Sequence, residues 1–257
     1  MYEREGNYGR QPPLIVGVEG AGTVAEVGEG AAEFSVGDRV AWANAPGSYA
    51  ERVVVGAAAA IPIPNGVSFE VGAAALLQGT TAHYLASSTY PVQPGDTVVV
   101  HAAAGGVGLL LAQIVKIRGG RVIATTSTDE KAALARAAGA DVVIGYDGFA
   151  ERVRELTGRT GAAAVYDGVG KATMLAGLEA LKPRGMMVLY GAASGQPDPL
   201  DLSRLGGHGS LYITRPVLGA YTATRAELLE RVGDVFAWIE SGELSVRIGA
   251  RLASMGR

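Results

Sequence analysis

The chain of 257 residues contains no cysteine. Disulfides, thiolate nucleophiles and Cys-ligated zinc are excluded together. Histidine is nearly as scarce. His83, His101 and His208 are the three present, no pair has the spacing of metal ligands, and no metal site is expected. An excess of positive charge is lacking too. The 22 basic residues face 25 acidic ones, for a formal charge of −3, and no basic block stands out. No nucleic-acid partner is expected. No apolar run is long enough to span a bilayer, and no signal-peptide pattern opens the chain. The expectation is a cytoplasmic protein with no membrane partner. The Gly-x-Ser-x-Gly pattern is also missing, and Glu26, Glu29 and Glu33 read as solvated turn residues rather than an acid/base pair.

What the chain has in quantity is glycine, 38 residues in a composition that is 48% hydrophobic. That suits an α/β protein with many tight turns. Residues 15–20, 22–28, 38–42 and 49–55 read as short strands between glycine turns, and 72–86 as a buried helix. From residue 97 strands and helices alternate. Strands are expected at 97–100, 122–125, 142–144, 163–166, 186–189 and 211–214. Helices are expected at 129–138, 149–156, 172–181 and 225–241, the last with a core face of Leu228, Leu229, Val232, Val235, Phe236 and Ile239. Such alternation with short turns argues a doubly wound, mostly parallel Rossmann sheet.

The densest signal is Val98-Val99-Val100, then His101-Ala102-Ala103-Ala104-Gly105-Gly106-Val107-Gly108, then Leu109-Leu110-Leu111-Ala112-Gln113. A buried strand runs into a small-residue turn and the first turns of a helix. Glycines let the backbone approach a pyrophosphate, which then sits on the amide-rich helix start. Ala104, Gly105, Gly106, Val107 and Gly108 are the candidate contacts. Ala103, Gly105 and Gly108 take the three glycine positions of G-x-G-x-x-G, so the match is one glycine short. An NAD site places an acid about 20 residues further on, for the ribose 2′-hydroxyl. Here the second strand ends Thr125-Thr126-Ser127 without an acid, and Lys131 follows. Hydroxyls with a lysine suit a 2′-phosphate. Taken alone, Lys131 reads equally as a solvated helix lysine.

Four stretches carry a family resemblance. Gly95-Asp96, the turn 103–108, Gln113 and Lys116 follow the quinone reductase signature, with Val99 where leucine is usual. Gly17-Val18-Glu19-Gly20-Ala21-Gly22 stands where zinc-containing relatives have Gly-His-Glu. Gln78-Gly79-Thr80-Thr81-Ala82 resembles a Gly-x-Thr-Ala helix, and residues 209–216 resemble a late strand with a Thr-Arg-Pro turn. On these the chain resembles medium-chain dehydrogenases/reductases, and among them the zinc-free quinone oxidoreductases related to zeta-crystallin.

That resemblance implies a Rossmann domain at 80–220. It also implies an incomplete GroES-like β-rich catalytic domain, formed by 1–79 and the return segment 221–257. Both ends are shorter than the family pattern, so truncation is expected. NADPH is implied as the hydride donor, and a quinone or α,β-unsaturated carbonyl (an enone) as the acceptor. An enoyl-thioester reductase is the neighbouring alternative, and a non-catalytic NADPH-binding protein the rival set up by the short ends. Tyr2 and Tyr8 match the tyrosines of the substrate cleft, and Thr81 a position near the nicotinamide. Lys131 and Tyr146 match positions flanking the adenosine phosphate, and Ser127 joins them from the strand end. The loops 167–170 and 191–195, with Gly191, tilt towards the cofactor cleft. A homodimer is implied, pairing edge strands at 211–214.

Overall fold

The computed structural model describes residues 15–252. They fall into two compact units, divided after Leu77 and after Arg247, with the last residues rejoining the first unit.

The first unit holds a three-stranded antiparallel sheet in the order β1 (Gly20–Thr23), β2 (Arg39–Trp42), β3 (Ile61–Pro62). Its small core is Val40, Trp42, Ala45 and Ala60, with Val24, Phe34, Val53 and Val55 packed against it. Gly20 pairs with Trp42 across the sheet, and a Cβ at Gly20 would run into the indole ring. The strands expected at 15–20 and 49–55 do not form. Gly17 takes φ +93°, which ends any extended run. The segment instead pairs irregularly with a loop: Ala45 N–H donates to Val18 O at 2.9 Å and Tyr49 N–H to Val16 O at 3.0 Å.

α1 (Phe69–Tyr84) leads into the second unit. There β4 (Thr97–Val100), α2 (Gly106–Ile117), β5 (Arg121–Thr125), α3 (Asp129–Ala137), β6 (Val142–Ile144), α4 (Phe149–Leu156) and β7 (Ala162–Asp167) follow one another. They continue as α5 (Met174–Glu179), β8 (Leu181–Leu189), α6 (Ser203–Gly207), β9 (Tyr212–Thr214), α7 (Leu218–Tyr221) and α8 (Arg225–Ser241). The six strands pair in parallel in the order β6-β5-β4-β7-β8-β9. This is the doubly wound Rossmann sheet of the α/β class. β7 is buried along its whole length, as a strand covered on both faces must be. The order reverses between β4 and β7, so the crevice beyond their C-terminal ends is where a ligand is expected.

α5 is shorter than 172–181, because Leu181 already pairs with Ala162 as the first residue of β8. In α8, Val232, Val235 and Phe236 are buried while Leu229 is exposed. That helix is closed at both ends, by a Thr224/Glu227 capping box and by Gly242 in the left-handed region at φ +80°. Among the described residues no helix is long and apolar enough to cross a membrane.

Candidate functional site

The glycine turn joins β4 to α2. β4 is a run of β-branched residues, and Val98, Val99 and Val100 are fully buried. α2 buries Leu110, Leu111, Ile114 and Val115 against the sheet. Its N-cap, Gly105, is extended, and no side chain caps the helix. The first-turn amides of Gly106, Val107 and Gly108 therefore have no acceptor within the helix, which suits an anion. Space demands glycine at 108 and is tight at 105 and 106. A Cβ on Gly108 would stand 2.5 Å from Ala102 O and 2.7 Å from Ala103 Cα, and one on Gly105 would stand 3.2 Å from Ala102 O. A Cβ on Gly106 would strike the Gln78 amide.

Helix propensity alone would favour Gly108→Ala by up to about 1 kcal/mol. Backbone cannot yield as a side-chain tip can, so the clash decides the sign. We expect Gly108→Ala to lose roughly 2 kcal/mol of stability and to weaken dinucleotide binding, read by urea unfolding and by calorimetric titration. A stability gain would show that the turn relaxes freely.

Ala102 adopts φ +49°, unusual for a residue with a Cβ. Its N–H donates to Tyr146 Oη at 3.0 Å. Tyr146 thus straps the segment after β6 to the glycine turn. Beside it lies a cavity of about 210 Å³, lined by Ala102, Ala104, Gly105, Thr125, Thr126, Ser127, Lys131 and Tyr146. Lys131 sits in the first turn of α3, where Thr128 caps the helix by accepting Lys131 N–H at 3.2 Å. Its Nζ donates to Ser127 Oγ at 3.0 Å.

The lining is therefore asymmetric in hydrogen bonding. Ser127 accepts from Lys131 and Tyr146 accepts from Ala102, so each hydroxyl keeps its own proton to give. No carboxylate lines the cavity. A cation and several donors without an acid suit a phosphate better than a ribose hydroxyl pair that needs an acceptor.

Two further loops meet at the ends of β7 and β8. The buried Asp167 gathers its loop: Oδ1 accepts Val169 N–H at 2.7 Å and Gly170 N–H at 3.0 Å, and Oδ2 accepts Thr173 Oγ1 at 2.7 Å. Gly191 is pressed against this loop, where a Cβ would stand 2.7 Å from Gly168 O. Thr81 is half-buried on α1 and does not line the cavity, nor does Gly191. Tyr2 and Tyr8 lie outside the described residues.

Of the expected residues, the structure brings Ala104, Gly105, Ser127, Lys131 and Tyr146 around one cavity. It places Gly106, Val107 and Gly108 at the start of the adjoining helix. Sequence reasoning pointed to Thr125 and Thr126 as the hydroxyl-bearing strand end beside Lys131, and missed Ala102, whose available signal was its position just after β4.

The N-terminal residues 1–65 match the alcohol dehydrogenase GroES-like domain, and residues 106–234 match the zinc-binding dehydrogenase domain. A quinone oxidoreductase of Pseudomonas aeruginosa is 43% identical over 94% of this chain and 75% of its own length. The chain belongs to the quinone oxidoreductases of the medium-chain dehydrogenase/reductase family.

Solved quinone oxidoreductase-like structures share the fold closely. A mycobacterial protein complexed with NADPH superposes with a TM-score of 0.93 at 51% identity, over 96% of this chain and 78% of that one. The Escherichia coli quinone oxidoreductase complexed with NADPH gives 0.90 at 40% identity, over 96% and 77%. Val18 occupies the histidine position of the zinc motif, and among the described residues no group of three His, Cys, Asp or Glu could hold a metal.

Glu19, which follows Val18, is partly buried and accepts Leu77 N–H at 3.3 Å. Burial pushes its carboxyl up to about 7, with the single amide pulling the other way.

Proposed function

We propose that this protein is an NADPH-dependent reductase of quinones and α,β-unsaturated carbonyls. The observation that carries the reading is the cavity at the ends of β4 and β5, with one lysine, several hydroxyl donors and no acid. The residues fit the cofactor. Gly108 lets the start of α2 pack directly on the Ala102–Ala103 backbone, and the uncapped start of α2 offers amides to a pyrophosphate. Lys131, Ser127 and Tyr146 would hold the adenosine 2′-phosphate. The loops at Asp167 and Gly191 follow β7 and β8 at the same edge of the sheet, and there they would face the cofactor cleft.

Bound NADPH supplies a hydride. The chain's part is to orient the acceptor and to donate a hydrogen bond to its oxygen as charge develops there. Tyr8 and Tyr2 are the proposed donors, since a neutral phenol keeps its proton at pH 7. Thr81 is proposed beside them. The reading includes a homodimer that pairs the β9 edge. β9 pairs with β8 on one side, and Tyr212 on it is exposed. Sedimentation as a monomer at micromolar concentration would remove that element.

The test is NADPH oxidation by the full chain with 1,4-benzoquinone, 9,10-phenanthrenequinone and a short enone. Turnover with at least one acceptor is expected. Tyr8→Phe should lower that turnover roughly 10- to 100-fold while leaving NADPH affinity unchanged. NADPH binding without oxidation across the whole set would overturn the catalytic reading.

A further inference from the structure

The start of α2 has a polar neighbour outside the cavity lining. Gln78 sits half-buried on α1, and its carboxamide lies against Gly106. A Cβ on Gly106 would strike Oε1 first and stand 3.1 Å from Nε2, so the carbonyl end is turned to the helix. Both residues belong to the second unit. No described residue hydrogen-bonds this carboxamide, yet it is not sealed from water. The described side-chain atoms that are buried without a partner are Thr89 Oγ1 and His101 Nε2. Two N–H donors and a carbonyl thus stand open beside first-turn amides that no side chain caps.

The cavity indicates which ligand atoms meet this group. Gly105 lines it together with Ser127 and Lys131, and Gly106 is the next residue. A dinucleotide held in the cavity by its 2′-phosphate therefore crosses the glycine turn, and its pyrophosphate comes to the amides of α2. The same end of α2 carries the positive pole of the helix dipole, and the carbonyl of Gln78 faces it. An anion seated there reverses the preference, because phosphate repels a carbonyl oxygen and attracts an amide N–H. Turning the carboxamide over breaks no hydrogen bond to a described residue, and it exchanges Oε1 for Nε2 at nearly the same place.

We propose that Gln78 is a binding residue for the cofactor pyrophosphate, donating from Nε2 to a phosphate oxygen held at the start of α2. The proposal rests on the NADPH reading above and extends it past the 2′-phosphate. Lys131, Ser127 and Tyr146 tell NADPH from NADH. Gln78 serves the two alike, since both carry the pyrophosphate.

Fluorescence titration of the full chain with NADPH and with NADH, and displacement of NADPH by adenosine 2′-monophosphate, test it. The monophosphate has no pyrophosphate. Gln78→Met keeps the length of the side chain and loses both donors. It should weaken NADPH and NADH about tenfold each, the effect of one hydrogen bond to a charged group, and leave the monophosphate within about twofold. Gln78→Glu keeps the shape and puts an anion beside the phosphates. It should weaken both dinucleotides about 100-fold at about 20 mM salt, and the loss beyond that of methionine should shrink at about 0.5 M. If one variant fails to fold, the other still decides. Dinucleotide binding unchanged in either variant, a loss for NADPH without one for NADH, or an equal loss for the monophosphate in Gln78→Met would each overturn the proposal. A wild type that binds neither dinucleotide would overturn the NADPH reading itself.

Discussion

Replacing Glu19 with glutamine is expected to stabilise the protein by about 2–3 kcal/mol at pH 8 and to change little at pH 4.5. Burial raises the Glu19 carboxyl from an ordinary 4.5 to about 7 in the folded state. Between these values the unfolded chain has released this proton and the folded chain still holds it. The folded state binds more protons, so stability falls as pH rises through that window and is flat beyond it. The full shift is worth roughly 3 kcal/mol at 1.36 kcal/mol per pKa unit, and the lower figure allows for water that still reaches the carboxyl. Glutamine keeps an oxygen for Leu77 N–H and carries no titrating proton. Urea unfolding of both proteins at pH 4.5, 6 and 8 measures the difference. Parallel pH profiles would show that the carboxyl is well hydrated in the folded protein.

The second large effect concerns cofactor choice. Lys131→Ala should weaken NADPH binding about 10- to 100-fold at low ionic strength and leave NADH binding within about twofold. A charge-assisted bond to phosphate contributes roughly 1.5–3 kcal/mol, and 1.4 kcal/mol is a factor of ten. Lys131 is exposed, so its share is screened by salt, and the wild-type advantage should shrink between 20 mM and 0.5 M salt. Fluorescence titration with the two cofactors reads both trends. Equal losses for NADPH and NADH would mean that Lys131 supports α3 or the strand end rather than the 2′-phosphate. Its bond to Ser127 sits at the entry of that helix, so both outcomes are physically open to measurement.

Much of the second unit is legible in the order of its residues. The run of valines in β4 marks the bounds that the strand takes, and Val142–Ile144 does the same for β6. α8 ends where its apolar spacing ends, stopped by Gly242. These elements are set by local chemistry: side-chain branching, helical or alternating burial, and glycine at a left-handed position. The first unit is less legible. Residues 15–20 and 49–55 have strand-like composition, yet Gly17 at φ +93° turns the chain into irregular pairing with a loop. Composition does not reveal which glycine uses its freedom.

The cavity divides the same way. Ser127 and Lys131 lie four residues apart, and the missing acid beside them can be read directly. Tyr146 cannot be read so. Its bond to the Ala102 amide spans 44 residues, and it enters the expected site through family resemblance alone. His101 gives no signal of its own, because a histidine at a strand end is ordinary. Its 2.8 Å contact with Thr125 forms only where two parallel strands end side by side.

By itself the sequence determined the kind of protein. Strand–helix alternation set the Rossmann sheet, small residues after β4 set a phosphate-approaching turn, and the lack of cysteine and of ligand-spaced histidines ruled out the usual zinc set. Those are statements about neighbours along the chain, where propensity and spacing act. The tertiary structure alone decided which hydroxyls share one cavity, which protein donors they accept from, and that Glu19 is poor in water. Each depends on strand order and packing, which bring distant residues within hydrogen-bond reach and remove solvent from them.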